Sequence, residues 1–169
     1  MKKILLYAAS LATIAFTGCS KEQSELSVDD VKAKATISGK VTYDGGSYYD
    51  KTDAKTVLLS DVAASNVTVV VKVENDNYNG DGGSFLYFET QTDANGLFSI
   101  DVPVYNSLSA TVYNLPFYGT WQEYDGESNI EYSNVLMKMT PVAVTANEKD
   151  VKYISISTSY ENVDQFKDS

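Results

Sequence analysis

Apolar and polar residues alternate with a period of two along most of the chain, which is the pattern of half-buried β-strands. One run shows it best, because Val67, Val69, Val71 and Val73 fall on one face and valine packs well on a pleated surface. No long helical period interrupts these runs. Strands are predicted at 35–43, 66–73, 84–92, 97–103, 108–115, 129–139 and 151–158. The pattern therefore predicts an all-β fold, a single antiparallel β-sandwich of about seven strands.

The strongest turn signal lies between the third and fourth predicted strands. The segment Asp93–Gly96 separates them, and its glycine supplies the positive φ that a tight turn needs. We therefore expect a β-hairpin here. Its second strand would turn Phe98, Ile100 and Val102 toward the core, with the polar residues between them facing water.

The segments outside residues 35–160 lack this alternation. Residues 1–18 combine a positive start with the apolar run Ile4–Phe16, which is too short to span a bilayer, and predict a signal peptide. Residues 19–34 are polar and predict a flexible tether. Residues 161–169 predict a solvated tail. The chain therefore divides into signal peptide, tether, sandwich domain and tail.

Cys19 is the only cysteine, and it follows Thr17 and Gly18 at the end of the apolar run. This ending resembles the lipobox of bacterial lipoproteins, in which the cysteine becomes the acylated first residue of the mature chain. The resemblance implies lipidation of Cys19, palmitate included, and a membrane anchor of several acyl chains. Such an anchor is stable because each buried methylene contributes about 0.8 kcal/mol. The alternative is an ordinary secretory signal with a coincidental cysteine.

The residues that follow the cysteine, Ser20–Glu25, place acidic side chains close behind it without an aspartate directly after it. They resemble the outer-membrane sorting and surface-export signals of Bacteroidetes lipoproteins. The resemblance implies a lipid-anchored protein of the outer membrane, exposed at the cell surface.

Composition excludes several classes of function. The chain has 23 acidic and 13 basic residues, for a formal net charge of −10, and every basic residue is lysine. Such a charge repels phosphate backbones, so no nucleic-acid partner is expected. The absence of histidine, arginine and a second cysteine removes Ser-His-Asp and Cys-His catalytic sites, histidine or thiolate metal sites and disulfides. We therefore predict no enzyme and no cofactor.

Three stretches carry a resemblance to a known family: Ile37–Val41, Val67–Val71 and Thr92–Ile100. They resemble the carboxypeptidase regulatory-like, or transthyretin-like (prealbumin-like), β-sandwiches, in which an I-x-G-x-V strand precedes a valine-rich strand and a T-D-x-x-G-x-F/Y hairpin. The resemblance covers about residues 35–104. It implies an accessory or structural module without catalytic residues. Neighbouring prealbumin-like families include surface adhesins and fimbrial subunits.

Two loops depart from the family pattern. The insert 47–65 has little strand character, and 55–64 is compatible with a short helix or a strand-flanked loop. The loop Glu74–Gly83 is dense in Asn, Asp and Gly, and Asp76 and Asp81 are weak calcium candidates because calcium prefers oxygen ligands. The alternative is a plain connecting loop, since these residue types tolerate left-handed φ. We therefore predict no metal site here, and Asp76 and Asp81 remain only weak candidates for calcium.

An aromatic cluster makes Tyr118, Trp121 and Tyr124 tentative ligand-binding residues. Flat apolar rings stack on sugar rings while amide and carboxylate neighbours bind the hydroxyls. The alternative is that Trp121 is a core residue, because a sandwich needs large side chains to fill it. Four nearby carboxylates could in principle supply a glycosidase pair, but a solvated loop is the better interpretation. They are Glu123, Asp125, Glu127 and Glu131.

The sequence thus predicts a lipid-anchored, non-catalytic β-sandwich that binds an envelope protein or takes part in surface assembly. The alternative is a carbohydrate-binding surface lipoprotein of a glycan-uptake system. Exposure of Trp121 distinguishes the two, because a buried tryptophan favours the structural module. Free edge strands would favour assembly by strand addition, since their unpaired backbone groups template pairing.

Overall fold

The computed structural model describes residues 28–78 and 83–160, and in these ranges the chain is all-β apart from two short 3-10 helices. The helices span Val28–Asp30 and Asn75–Tyr78. The strands are β1 (Lys34–Tyr43), β2 (Ser47–Asp50), β3 (Lys55–Leu58), β4 (Val62–Ala63), β5 (Thr68–Glu74), β6 (Phe85–Gln91), β7 (Leu97–Pro103), β8 (Ser107–Asn114), β9 (Phe117–Tyr124), β10 (Asn129–Met137), β11 (Pro141–Asn147) and β12 (Val151–Thr158). The predicted all-β class is confirmed.

Seven long strands and the short β4 form two facing sheets. In the first sheet, β1 is the central strand, and β12 pairs along one of its sides. On the other side, β7 pairs with residues 34–40 of β1 and β4 with residues 42–43. The second sheet has the order β11-β8-β5-β6. Among the described strands of the two sheets, every ladder is antiparallel except the β1–β12 pair, which is parallel. The predicted antiparallel sandwich is therefore confirmed, with this one parallel pair.

The two sheets bury their facing sides in one core. Val69, Val71 and Val73 come from the second sheet, and Ile37 and Ile156 from the first, and all five are fully buried. Burying one such side chain contributes about 1.5–3 kcal/mol. The predicted valine face is confirmed, and the period of two explains it, because alternate residues of a strand point to the same side.

The predicted hairpin around the Asp-Ala-Asn-Gly turn is wrong. β6 pairs with β5 in the second sheet and β7 pairs with β1 in the first, so the turn crosses between the sheets. Thr92 holds the crossing: its buried hydroxyl donates to the Ala64 carbonyl (2.6 Å) and accepts from the Val67 N–H (2.9 Å). Gly96 does adopt a positive φ of 76°, and a Cβ there would lie 2.5 Å from the Val41 carbonyl oxygen. The turn residues thus determine that the chain reverses direction. They do not determine which strand β7 pairs with after the turn.

The folded part begins before the boundary predicted at residue 35. Val31 is buried in the main core, and the carbonyl of Ala33 accepts the N–H of Val104 at 2.9 Å. Residues 28–34 are therefore part of the domain rather than of the tether. A polar composition concealed this, because only two apolar side chains, Val28 and Val31, pack against the core. The Lys34 carbonyl adds a second backbone hydrogen bond, from the Lys149 N–H at 2.7 Å.

The insert 47–65 contains strands β2, β3 and β4, more strand than the sequence indicated. Residues 55–64 form the strand-flanked loop, with β3 before it and β4 after it, rather than the short helix. The β2–β3 hairpin lies beside the β9–β10 hairpin, and we call the four strands together the accessory sheet. The Gln122 N–H donates to the Gly45 carbonyl at 2.8 Å. Asn129 clamps the other end: its Oδ1 accepts the Tyr49 N–H (2.7 Å) and its Nδ2 donates to the Tyr49 carbonyl (3.0 Å).

No helix within the described ranges has the length and apolar character that crossing a bilayer requires.

Candidate functional site

Trp121 lies in a second, smaller core on the inner side of the accessory sheet. Its side chain is 9% exposed and clusters with Val135 and Met137. The indole ring centroid lies 5.8 Å from that of Tyr132 and 5.7 Å from that of Tyr160. This burial is the outcome that the sequence analysis associated with a structural module.

Tyr118 and Tyr124 occupy the opposite face of β9 from Trp121, because they differ from it by an odd number of positions. Tyr118 is 69% exposed. Six positions of a strand separate the two tyrosines, which corresponds to about 20 Å. The three tentative ligand-binding residues are therefore not brought together as one platform.

Tyr124 instead stacks on Tyr49 of the neighbouring hairpin, with ring centroids 4.8 Å apart and planes 20° from parallel. On the same outer face, Gln122 Nε2 donates to Glu131 Oε2 at 2.8 Å. An aromatic pair beside an amide–carboxylate pair offers a stacking surface and hydroxyl partners. Sequence reasoning missed Tyr49, because no signal in residues 47–65 links them to β9.

The acidic residues of this region do not converge. Asp125 is a turn residue: the N–H of Ser128 (2.8 Å) and that of Glu127 (2.9 Å) hydrogen-bond to its carboxylate and lower its pKa. Glu123 and Glu131 occupy opposite faces of the β9–β10 hairpin, since Glu131 is the register partner of Gln122. No paired carboxylates of the glycosidase type are seen among these described residues.

Asp76 lies in the second 3-10 helix beside an open cleft of about 360 Å³ whose lining includes Glu74 and Asn77. The Asn77 Nδ2 group donates to the Glu74 carbonyl at 2.9 Å and to the Asp76 carboxylate at 3.2 Å. Within 28–78 and 83–160, no group of three or more acidic side chains has the geometry to hold a metal ion. Asp81 and Cys19 lie outside the described residues.

The edge of β7 is closed by local devices. The Val41 N–H donates to the Gly96 carbonyl and the Val104 N–H to the Ala33 carbonyl, so even-numbered residues of this strand face β1 and odd-numbered ones face outward. Of the outward groups, the carbonyl of Leu97 accepts the Asp93 N–H (2.8 Å), and that of Ser99 accepts the hydroxyl of Thr90 (3.4 Å). Pro103 has no N–H, and its carbonyl accepts the buried Tyr78 hydroxyl at 2.7 Å. These contacts block both ends of the edge, and the charged Asp101 lies between them.

The edge of β11 is blocked at both ends, but Ala143 and Thr145 in its middle direct their backbone groups outward. It begins with Pro141, which has no N–H. At its other end, the Asn147 N–H donates to the Asp150 carboxylate at 2.9 Å, and the Asn147 carbonyl accepts the Asp150 N–H at 3.1 Å. A proline and a turn therefore occupy the two ends of this short strand.

The edge of β12 is open from Val151 to Ser157. Just beyond it, the Ser159 carbonyl accepts the Lys138 N–H at 3.0 Å, and Tyr160 forms a backbone bridge with Met137. The carbonyls of Asp150 and Thr158 accept the N–H groups of Thr36 (2.9 Å) and Asp44 (3.1 Å), so even-numbered residues of β12 face β1. In a parallel ladder, successive residues bond to opposite sides. The odd-numbered residues therefore direct their N–H and C=O groups away from β1, and in the described part of the chain no ladder covers that side. These outward residues are Val151, Tyr153, Ser155 and Ser157.

The edge of β6 is also open, but it carries charge. The Thr92 carbonyl accepts the Asn66 N–H (3.0 Å), so even-numbered residues face β5 and odd-numbered ones face outward. Two of the outward residues are Tyr87 and Glu89. Glu74 lies on the same outer face of the sheet, one strand inward. The longest open edge without charged outward residues is therefore that of β12, with four such residues against Ala143 and Thr145 on β11.

Comparisons with known proteins add little to this geometry. No protein-family model matches the sequence, and no curated protein sequence matches it. One solved structure that it resembles is a candidate carbohydrate-binding protein from Pseudomonas aeruginosa, with 11% identity and a TM-score of 0.41. The match covers 74% of this chain and 88% of the other. Similarity at this level assigns neither a family nor a function.

Proposed function

We propose that the protein is a lipid-anchored, non-catalytic module of the bacterial cell envelope that binds a polypeptide strand by strand addition to β12. The observation that carries this proposal is the uncharged edge of β12, which is open over four outward residues, whereas the edges of β7 and β11 are blocked at both ends. Val151 and Tyr153 are 72% and 63% exposed on the outer face of the same strand. An incoming strand would therefore find both backbone partners and side chains to contact.

Strand addition uses two kinds of contact. Backbone hydrogen bonds supply affinity, with a net contribution of about 0.5–1.5 kcal/mol each. Side chains that alternate along the outer face supply specificity. On β12 the outer-face residue Tyr153 is followed by the small Ser155 and Ser157, which leaves room beside its ring for a large side chain of the added strand.

The experiment uses a substitution that removes one outward N–H. Ser155→Pro deletes the N–H that points away from β1 and leaves the β1 ladder its donors, whereas Ser155→Ala keeps that N–H. Peptides selected for binding from a random displayed library are then measured against wild type and both variants. We expect the alanine variant to bind like wild type and the proline variant to lose at least tenfold in affinity. Peptides that bind all three equally, or a library that yields none, would refute the proposal.

The anchor is tested separately. We propose that Cys19 is acylated and holds the domain at the outer membrane, supported by the residues that precede it. Labelled palmitate fed to producing cells should enter the wild-type protein and not a Cys19→Ser variant. The variant should also leave the membrane fraction. Label in the variant, or a wild-type protein that fractionates as soluble, would contradict the anchor.

The accessory sheet favours a second candidate function, glycan binding. The Tyr49–Tyr124 stack beside the Gln122–Glu131 pair has the components of a sugar site. Trp121, the only tryptophan, lies on the other face of the same strand and serves as a fluorescence reporter. A neutral glycan that shifts its emission with wild type but not with Tyr124→Ala would support this function. No response to a glycan panel would exclude it at this site.

A further inference from the structure

We infer that the strand that adds to β12 is β12 of a second copy of this chain, antiparallel to the first about a two-fold axis. The inference rests on the proposed function, since it names the occupant of the same edge. It follows from the register, the side-chain sizes and the charge that the edge presents.

The register is set by which backbone groups point outward. In an antiparallel pair, residues whose N–H and C=O groups face the partner must lie opposite each other. A two-fold axis at Ile154 meets this condition, because it places Val151 opposite Ser157 of the second copy and Tyr153 opposite Ser155 of the second copy. All four outward residues of each copy then exchange both of their backbone hydrogen bonds.

The side chains fit the same register. On the outer face, each large residue lies beside a small one, Tyr153 beside Ser155 and Val151 beside Ser157, so no two bulky groups compete for one position. None of the four is charged, so no like charges oppose each other. Lys152 points to the other face, where its Nζ lies 3.1 Å from the carboxylate of Asp150.

The same operation is unfavourable at the charged edge of β6. A two-fold axis at Phe88 of β6 would place Tyr87 opposite Glu89 of the second copy. It would also bring the two copies of Glu89 to diagonal positions about 7–8 Å apart. On that face Glu74 adds a negative charge and Lys72, the register partner of Tyr87, a positive one, so the repulsion there is between the two copies of Glu89. Two copies that each carry a net charge of −10 are therefore expected to meet at β12.

The dimer should be weak in solution and stronger on a membrane. A single strand pair buries less surface than the roughly 1,200–2,000 Å² of a stable interface. The charge of the two copies opposes association, and salt screens that repulsion within about 8 Å at physiological ionic strength. Confinement to one membrane raises the effective concentration, which compensates for a weak contact.

The test is disulfide crosslinking of full-length protein in the membranes of producing cells. One population carries Tyr153→Cys and the other Ser155→Cys, and the two are made together with distinguishable tags. We expect a mixed disulfide dimer to dominate, because these positions are opposite each other in the proposed register. Ile154→Pro is not a suitable control, because the N–H of residue 154 faces β1 and its loss would weaken the sheet itself. Ser157→Pro, which deletes only an outward N–H, should reduce the crosslink at least tenfold.

The matched control is the pair Tyr87→Cys and Glu89→Cys on β6, which should crosslink at background level. Equal crosslinking at both edges, no crosslink at β12, or a ladder of higher oligomers would overturn the two-fold dimer. A ladder indicates head-to-tail pairing. If the dimer fails while Ser155→Pro still abolishes binding of selected peptides, the proposed function stands and only its occupant changes. If both fail, the edge of β12 is not a binding surface.

Discussion

Gly46 is the position where the accessory sheet depends most on a missing side chain. Its φ is 79°, and a Cβ there would lie 2.0 Å from the Gln122 carbonyl oxygen and 2.8 Å from the indole of Trp121. Gly46→Ala therefore forces β2 away from β9. Gly126 provides a matched control, since it has a φ of 102° in the same sheet and no atom within 4 Å of the position that a Cβ would occupy.

The two substitutions share the cost of a left-handed backbone but differ in the clash. Placing alanine in that conformation costs about 1–2 kcal/mol, and this is the whole effect expected for Gly126→Ala. Gly46→Ala also weakens the hydrogen bond from Gln122 to Gly45, worth about 0.5–1.5 kcal/mol. Partial exposure of Trp121 adds up to about 3 kcal/mol. The expected total for Gly46→Ala is about 1.5–6.5 kcal/mol, and it exceeds that of Gly126→Ala by the last two contributions.

Urea unfolding followed by tryptophan fluorescence measures this difference, because Trp121 is the only tryptophan. In Gly46→Ala the native emission should shift to the red, while far-ultraviolet circular dichroism retains the strand signal of the main sandwich. Gly126→Ala should keep the wild-type emission. Equal stability and equal emission of the two variants would show that the close approach of β2 to β9 does not hold Trp121 in place.

Three further predictions concern single polar groups. Thr92→Val should lower the free energy of unfolding by about 2–5 kcal/mol, because two buried backbone groups lose their partner, whereas Thr92→Ser should lower it by less than half as much in the same urea assay. Burial raises the pKa of Tyr78 from 10.0 to about 12, so the stability that depends on its neutral hydroxyl is complete below pH 10 and is lost as the pH rises toward 12. Tyr78→Phe should flatten that alkaline slope of the urea midpoint, and an unchanged slope would contradict the assignment. The pKa of Asp150 is lowered from 3.8, first by the hydrogen bond from the Asn147 N–H and then by Lys152. The stability that depends on this carboxylate is therefore present above pH 3.8 and is lost as the pH falls below it. Asp150→Asn should reduce this loss of the urea midpoint at acid pH.

The period of two was sufficient to predict most of the main sandwich. β7 and β12 start and end at the residues that the pattern indicated, because each has one buried and one solvated face. β11 was missed although Val142, Val144 and Ala146 alternate correctly, since small and β-branched residues after a proline gave a weak signal. Local patterns fail more fundamentally for the turn at Gly96, because they cannot say which strand receives the hydrogen bonds.

The accessory sheet was predicted only in part: β10 lies within the strand predicted at 129–139, whereas β2, β3 and β9 were missed. β2 and β3 are short, and β2 consists of half-buried residues with no buried face of its own. Its stability comes from contacts between segments far apart in the chain, such as Tyr49 with Asn129 and Gly45 with Gln122. The sequence therefore left open whether Trp121 is buried, because it did not predict β2, which begins next to the indole.

The four sheet edges support a retained function for β12, because the chain protects edges elsewhere. Two of its three prolines, Pro103 and Pro141, lie in the edge strands β7 and β11, where a missing N–H prevents pairing. Lys152 is the one charge on β12, and it lies at the start of the strand with Asp150 as its partner. It therefore leaves Tyr153 through Ser157 unguarded. An unprotected edge is a liability in a monomer, so this stretch of β12 is the part of the sandwich where the proposed strand addition would remove such a liability.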